Sequence, residues 1–143
     1  MNLHIKNSPE AVSLALAEWI TAAIESTLQH SDRFTWVLTG GNSPKRLYEL
    51  LASPAYVDRI DWSKLHIFWG DERAVPFNDE RNNARMTFEH LLNHVPVLKE
   101  QVYCMNTDLA PEAAAAAYEQ ILRHYFGETG PTFDLVLNGM GDD

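Results

Sequence analysis

Short apolar runs alternate with longer amphipathic stretches along this chain. Residues 35–39 (TWVLT), 66–69 (HIFW) and 133–137 (FDLVL) have the length and side chains of buried strands. Residues 3–5 and 102–103 are weaker strand candidates. The helical pattern begins at Ser8-Pro9-Glu10, a capping serine, a proline at the first helical position and an acid in the first turn. Val12, Leu14, Ala15, Leu16, Trp19, Ile20, Ala23, Ile24 and Leu28 follow at helical spacing. Further helices are predicted over 45–52, over 83–92 with Met86, Phe88, Leu91 and Leu92 apolar, and over 111–126, closed by Gly127. Strands alternating with helices at this spacing predict a parallel sheet covered by helices. No repeat, linker or domain boundary interrupts the pattern, so residues 1–143 read as a single α/β domain. Trp19, Trp36, Trp62 and Trp69 are expected in the core.

Charge and composition narrow the partners. Eleven basic against twenty acidic residues give a net charge of −9. A nucleic-acid binder shows a basic stripe, and none is present. Nor is there a polybasic anchor for anionic membranes. No apolar run approaches the roughly 18 residues needed to cross a bilayer, and the first residues carry no apolar core of a signal peptide. No membrane partner is therefore expected. The single Cys104 has no internal partner, which points to a reducing compartment, the cytoplasm. With no basic neighbour to activate it, Cys104 reads as a buried cysteine rather than a nucleophile.

Ligands of open parallel sheets bind beyond the carboxyl ends of the strands. Three loops here leave strand ends and are rich in glycine or charge. Residues 39–44 (TGGNSP) offer Gly40 and Gly41 for close backbone approach, and Asn42 or Ser43 as a cap for the helix that follows. Free amides there, with Lys45 and Arg46 nearby, suit a phosphate or carboxylate. The loop is not a P-loop, because the Gly-Lys-Ser/Thr element is absent. Residues 70–73 (GDER) place Arg73 to fork onto phosphate oxygens, with Asp71 or Glu72 to hold it or to act as a base. Residues 138–143 (NGMGDD) form a glycine turn through Gly139 and Gly141 that would hold a sugar ring or a phosphate. A strand followed by such a turn belongs inside a fold, so the chain is expected to be the front part of a longer protein. The histidines add little: His90 and His94 are four apart, but Leu91 stands where a zinc hydrolase motif has Glu. No glycine-flanked serine elbow is present.

Taken together, the loops resemble the 6-phosphogluconolactonase family. Residues 38–44 (LTGGNSP) match its early glycine loop, 68–76 (FWGDERAVP) its D-E-R-x-V-P segment, and 133–143 (FDLVLNGMGDD) the start of its D-x-x-x-x-G-M-G-x-D-G-H-T segment. Asn82 and Asn83 fall where the family has Ser-Asn. The match runs in order along essentially the whole chain, with Thr39, Asn42 and Asn82 as mild departures.

The resemblance implies a Rossmann-like α/β fold, a parallel sheet with helices on both faces, incomplete at its C-terminus. The fold is shared with glucosamine-6-phosphate deaminases and ribose-5-phosphate isomerases. It implies hydrolysis of 6-phospho-D-glucono-1,5-lactone to 6-phosphogluconate, in the oxidative pentose phosphate pathway, with no metal or organic cofactor. The small phosphorylated sugar lactone would be the partner. The oligomeric state is left open. By the same resemblance Asp71, Arg73 and Asp143 are the catalytic candidates. Gly40, Gly41, Asn42, Ser43, Lys45, Arg73, Asn83, Gly139 and Gly141 would bind substrate. The family's base, the histidine of its Gly-His-Thr stretch, is expected beyond residue 143, with Asp143 orienting it; residues 1–143 alone are then expected to be inactive. Two rivals stand beside this reading. A sugar-phosphate isomerase or deaminase shares the fold but usually carries Asp-Glu-Tyr where this chain has Asp71, Glu72 and Arg73. A non-catalytic sugar-phosphate-binding module would keep the phosphate loop and lack the base.

Overall fold

The computed structural model describes residues 2–140. Three parallel strands, β1 (Phe34–Leu38), β2 (Leu65–Trp69) and β3 (Leu135–Val136), form one sheet in the order β2-β1-β3. Phe34 pairs with Leu65 and Leu38 with Trp69 along β1 and β2, while Trp36 and Val37 pair with Leu135 and Val136 of β3. Val102 adds a single parallel bridge to Ile67, outside β2. The third strand is shorter than its predicted 133–137. Its start is held by the Asp134 N–H, which donates to the Thr35 carbonyl at 3.1 Å, and by the Asp134 carboxylate, which accepts from the Thr35 N–H (2.7 Å) and hydroxyl (2.8 Å). Residues 3–5 form no strand; Leu3 and Ile5 lie exposed, with no sheet partner to pair their backbone.

Alternation along the strands divides the core. Phe34, Trp36 and Leu38 of β1, with Leu65, Ile67 and Trp69 of β2, face three helices: α1 (Pro9–Leu28), α2 (Lys45–Leu51) and α3 (Asn83–His90). Val37 and Phe68 face the other way, onto α4 (Pro111–Phe126), where Tyr118, Tyr125, Phe126 and Phe133 pack around Phe68. Helices therefore cover both faces, as a parallel sheet requires.

Helix α1 starts as predicted: the Ser8 hydroxyl accepts from the Ala11 N–H at 3.1 Å, and Pro9 opens the helix. Its buried stripe is Ser13, Ala17, Ile20, Thr21 and Ile24. Trp19 is on the opposite side, 56% exposed, and is not a core residue; the other three tryptophans are buried. Apolar residues here exceed what one helix face can bury, and Trp19 falls outside the stripe. By length and composition α1 is apolar enough to cross a bilayer, contrary to the expectation from uninterrupted runs. In this structure its acids face neighbouring elements: Glu10 pairs with Arg46, while Glu18 and Glu25 pair with Arg59.

Two tyrosine hydroxyls finish the strands. Tyr48 of α2, fully buried, accepts from the Thr39 N–H at 3.2 Å and donates to the Thr39 carbonyl at 2.8 Å, just past β1. Tyr118 of α4 accepts from the Trp69 N–H at 3.0 Å and donates to the Tyr103 carbonyl at 3.1 Å, at the end of β2. Burial drives both phenols upward, Tyr118 to about 12, so each stays a neutral donor and acceptor. Removing the Tyr48 hydroxyl leaves the part-buried N–H and C=O of Thr39 without their partner. We expect Tyr48→Phe to cost about 1–3 kcal/mol in urea unfolding, read as a lower midpoint at unchanged slope.

Candidate active site

Because β1 lies between β2 and β3, the chain leaves β1 to one side and returns on the other. That reversal opens a crevice at the carboxyl ends of the strands, where ligands of open α/β sheets bind. The loops after β1, β2 and β3 all reach it. They line a cleft of about 690 Å³ that includes Thr39, Gly40, Gly41, Ser43, Gly70, Asp71, Arg73, Asn83, Asn138 and Gly139. A second cavity of about 480 Å³ shares Gly41, Arg73 and Asn83 with it and adds Asn42, Lys45, Glu80 and Arg81. The structure thus brings Gly40, Gly41, Asn42, Ser43, Lys45, Asp71, Arg73, Asn83 and Gly139 together around these two cavities, but neither Arg46 nor Glu72 lines them. Gly141 and Asp143 lie outside the described residues.

The glycine loop is bent for reasons that can be assigned to each glycine. Gly41 has φ +85°, a conformation that side chains with a Cβ rarely adopt. Gly40 is needed for space: a Cβ there would lie 1.8 Å from the Asn83 Oδ1. Neither Asn42 nor Ser43 caps α2. The cap position is Pro44, already at φ −81° and ψ −10°, whereas side-chain capping needs an extended residue. The α2 start is instead closed by the Lys45 N–H, which donates to the Asn42 carbonyl at 3.3 Å.

The cations separate by partner. Arg46 turns away from the cleft onto Glu10, so it does not serve the site. Arg81, at the smaller cavity, is forked onto Asp79 and holds that carboxyl well below the usual carboxylate range. Arg73 meets Asp71 at only 3.8 Å, with both side chains well exposed. Lys45 is half-buried and has no ion-pair partner among the described residues. In a chain of net charge −9, Lys45 and Arg73 are the cations left available to an anionic ligand at this place.

Glu72 does something the sequence did not disclose. Its Oε1 accepts from the Arg73 N–H and the Asn83 N–H, each at 2.7 Å, and its Oε2 accepts from the Ala84 N–H at 2.9 Å. It thereby caps α3, whose next amide, of Arg85, donates to the Asn82 Oδ1 at 2.8 Å. Asn83, 4% exposed, donates from Nδ2 to the Asp71 carbonyl at 3.1 Å. Cys104 lies near this carboxylate; burial first, then the Glu72 charge, pushes its thiol up to about 11, against a thiolate role. His90 and His94 do not share a helix: the first ends α3 on Glu49, and the second donates to the Glu89 carbonyl from a following short turn. Among the described residues, no group of three or more His, Cys, Asp or Glu is gathered as a metal site.

The contact between Gly40 and Asn83 gives a direct check. We expect Gly40→Ala to cost about 1–3 kcal/mol, because the added methyl meets a buried, bonded amide. Asn83→Ala in the same chain removes the obstacle, so the double variant should recover part of that loss in denaturant unfolding.

Comparison with known proteins places these features. The family model for glucosamine-6-phosphate isomerases/6-phosphogluconolactonase matches residues 7–143. The chain is 37% identical to 6-phosphogluconolactonase 3, chloroplastic, of Arabidopsis thaliana, over 99% of its own length and 46% of that protein's. It is 37% identical to a 6-phosphogluconolactonase of Nostoc, covering 87% of this chain and 52% of the relative. Among solved structures, 6-phosphogluconolactonase from Thermotoga maritima superposes with a TM-score of 0.80 at 31% identity, over 90% of this chain and 56% of that one. A monomeric glucosamine-6-phosphate deaminase, TM-score 0.75 at 16% identity, shares the fold. The chain spans about half the length of the curated relatives it matches. With the model matched over nearly all its residues and the same three loops meeting at one crevice, the chain belongs to the glucosamine-6-phosphate isomerase/6-phosphogluconolactonase family.

Proposed function

We propose that this chain carries the phosphate-binding and positioning part of a 6-phosphogluconolactonase, which opens 6-phospho-D-glucono-1,5-lactone to 6-phosphogluconate in the oxidative pentose phosphate pathway. The convergence of the three loops on one cleft is the observation that carries the reading. The relatives named as lactonases support it.

In this reading the phosphate is held by the Gly40–Gly41 backbone, Asn42, Ser43, Lys45 and the Arg73 guanidinium, with Asp71 orienting Arg73. Asn83 closes the wall between the two cavities. Gly139 and Gly141 border the sugar ring. Such a clamp, remote from C1, supplies positioning energy. A δ-lactone is an activated ester, so a placed water, a base near neutral and oxyanion donors suffice for its opening. No histidine lines the cleft among the described residues. By the family resemblance, the base is proposed to be the histidine expected after residue 143, oriented by Asp143. The half-buried, lone Cys104 supports a reducing compartment.

The test is hydrolysis of the lactone by the intact protein, followed as acid release against the spontaneous rate. We expect a rate far above background. Arg73→Ala should lower kcat/KM by about a hundredfold, chiefly through KM, and Arg73→Lys should keep part of it as a point charge. Release of ammonia from glucosamine 6-phosphate, without lactone opening, would put the deaminase reading in its place.

A further inference from the structure

Arg73 presents a problem of placement. Its side chain is 65% exposed and its guanidinium meets Asp71 at 3.8 Å, too loose a pairing to fix a five-donor fork. Its backbone, by contrast, is tied on both sides. The N–H donates to Glu72 Oε1 at 2.7 Å, and the carbonyl accepts from the Val75 N–H at 2.7 Å. The same Glu72 carboxylate holds the Asn83 and Ala84 amides. Through Asn83 the tie continues: the Asn83 amide donates to the Asp71 carbonyl, and its Oδ1 occupies the space that Gly40 leaves open. One carboxylate thus joins the loop after β2, the start of α3 and, through Asn83, the glycine loop after β1.

We propose that Glu72 is the positioning residue of this site. Three amides face its two oxygens, so it works as a fixed acceptor rather than as the base. It sets the point from which Arg73 leaves the backbone and the wall against which the glycine loop folds, without touching the ligand. The inference rests on the phosphate-binding reading of the cleft.

Glu72→Gln tests it in the intact protein. An amide keeps the size but turns an N–H₂ toward the Ala84 N–H or toward the Arg73 and Asn83 amides. We expect the Kd for 6-phosphogluconate, measured by calorimetry, to rise about tenfold while the thermal midpoint shows a folded protein. In the Arg73→Ala background the same change should add only part of its effect, about two- to threefold, because the path through Arg73 is gone and only the path through Asn83 to the glycine loop remains. A residue that only stabilised the fold would lower the midpoint and leave the affinity of the folded molecules alone. Full additivity with Arg73→Ala, or an unchanged Kd, therefore overturns the proposal. A second readout needs no ligand: amide exchange at Arg73, Asn83 and Ala84 should quicken in Glu72→Gln, and unchanged exchange also overturns the proposal. If the unaltered protein binds no 6-phosphogluconate, the functional reading fails, and the exchange result alone decides the role of Glu72. Should Gln cost the fold, Glu72→Asp, one methylene short of the amides, takes its place in the same measurements.

Discussion

Backbone pairing at the strand ends is the constraint on which the rest of this structure depends. A parallel strand that stops inside a protein leaves an N–H and a C=O with nowhere to go, and an unpaired buried group costs about as much as a lost hydrogen bond. Here the Tyr48 hydroxyl serves both groups of Thr39, beyond β1, and Tyr118 bridges Trp69 to Tyr103 at the end of β2. One phenol comes from each side of the sheet. With the strand ends closed in this way, the loops beyond them are free to expose their own amides and glycines to a ligand.

The loops are then locked to one another rather than to the sheet. Gly40 has no side chain, so Asn83 can occupy its place, and Glu72 holds Asn83 by its backbone. The charge pattern follows the same economy. Arg46, Arg59 and Arg81 are spent on carboxylates, while Lys45 and Arg73 remain at the cleft. In a strongly acidic chain, cations left without close partners at a crevice are what an anionic ligand requires.

Much of this was legible in the residues, and the reasons for what was not are physical. Strands of the form TWVLT and HIFW, the Ser8-Pro9 start and the Gly127 stop are local signals, and the elements form there. The order of the three loops along the chain sufficed to identify their family. What escaped depends on distance in sequence. Glu72 bonds residues eleven and twelve positions on, and Arg46 finds Glu10 thirty-six positions back, so neither role has a local mark. Tyr48 looks like any apolar helix residue until the helix is laid across β1. Trp19 reads as a core residue because hydrophobicity says that a residue prefers burial, not which face of α1 the sheet will cover. The strand expected at 3–5 failed for want of a neighbour, since β propensity without a pairing partner fixes nothing.

On the proposed reading these loops form one site for a phosphorylated sugar acid. Amide chemical shifts recorded while 6-phosphogluconate is added test it most directly. The largest changes should fall together on Gly40, Gly41, Ser43, Arg73 and Gly139, saturating with a single affinity. Changes confined to another face, such as Val12 and Trp19 on the exposed side of α1, or a glycine loop that does not respond, would contradict it.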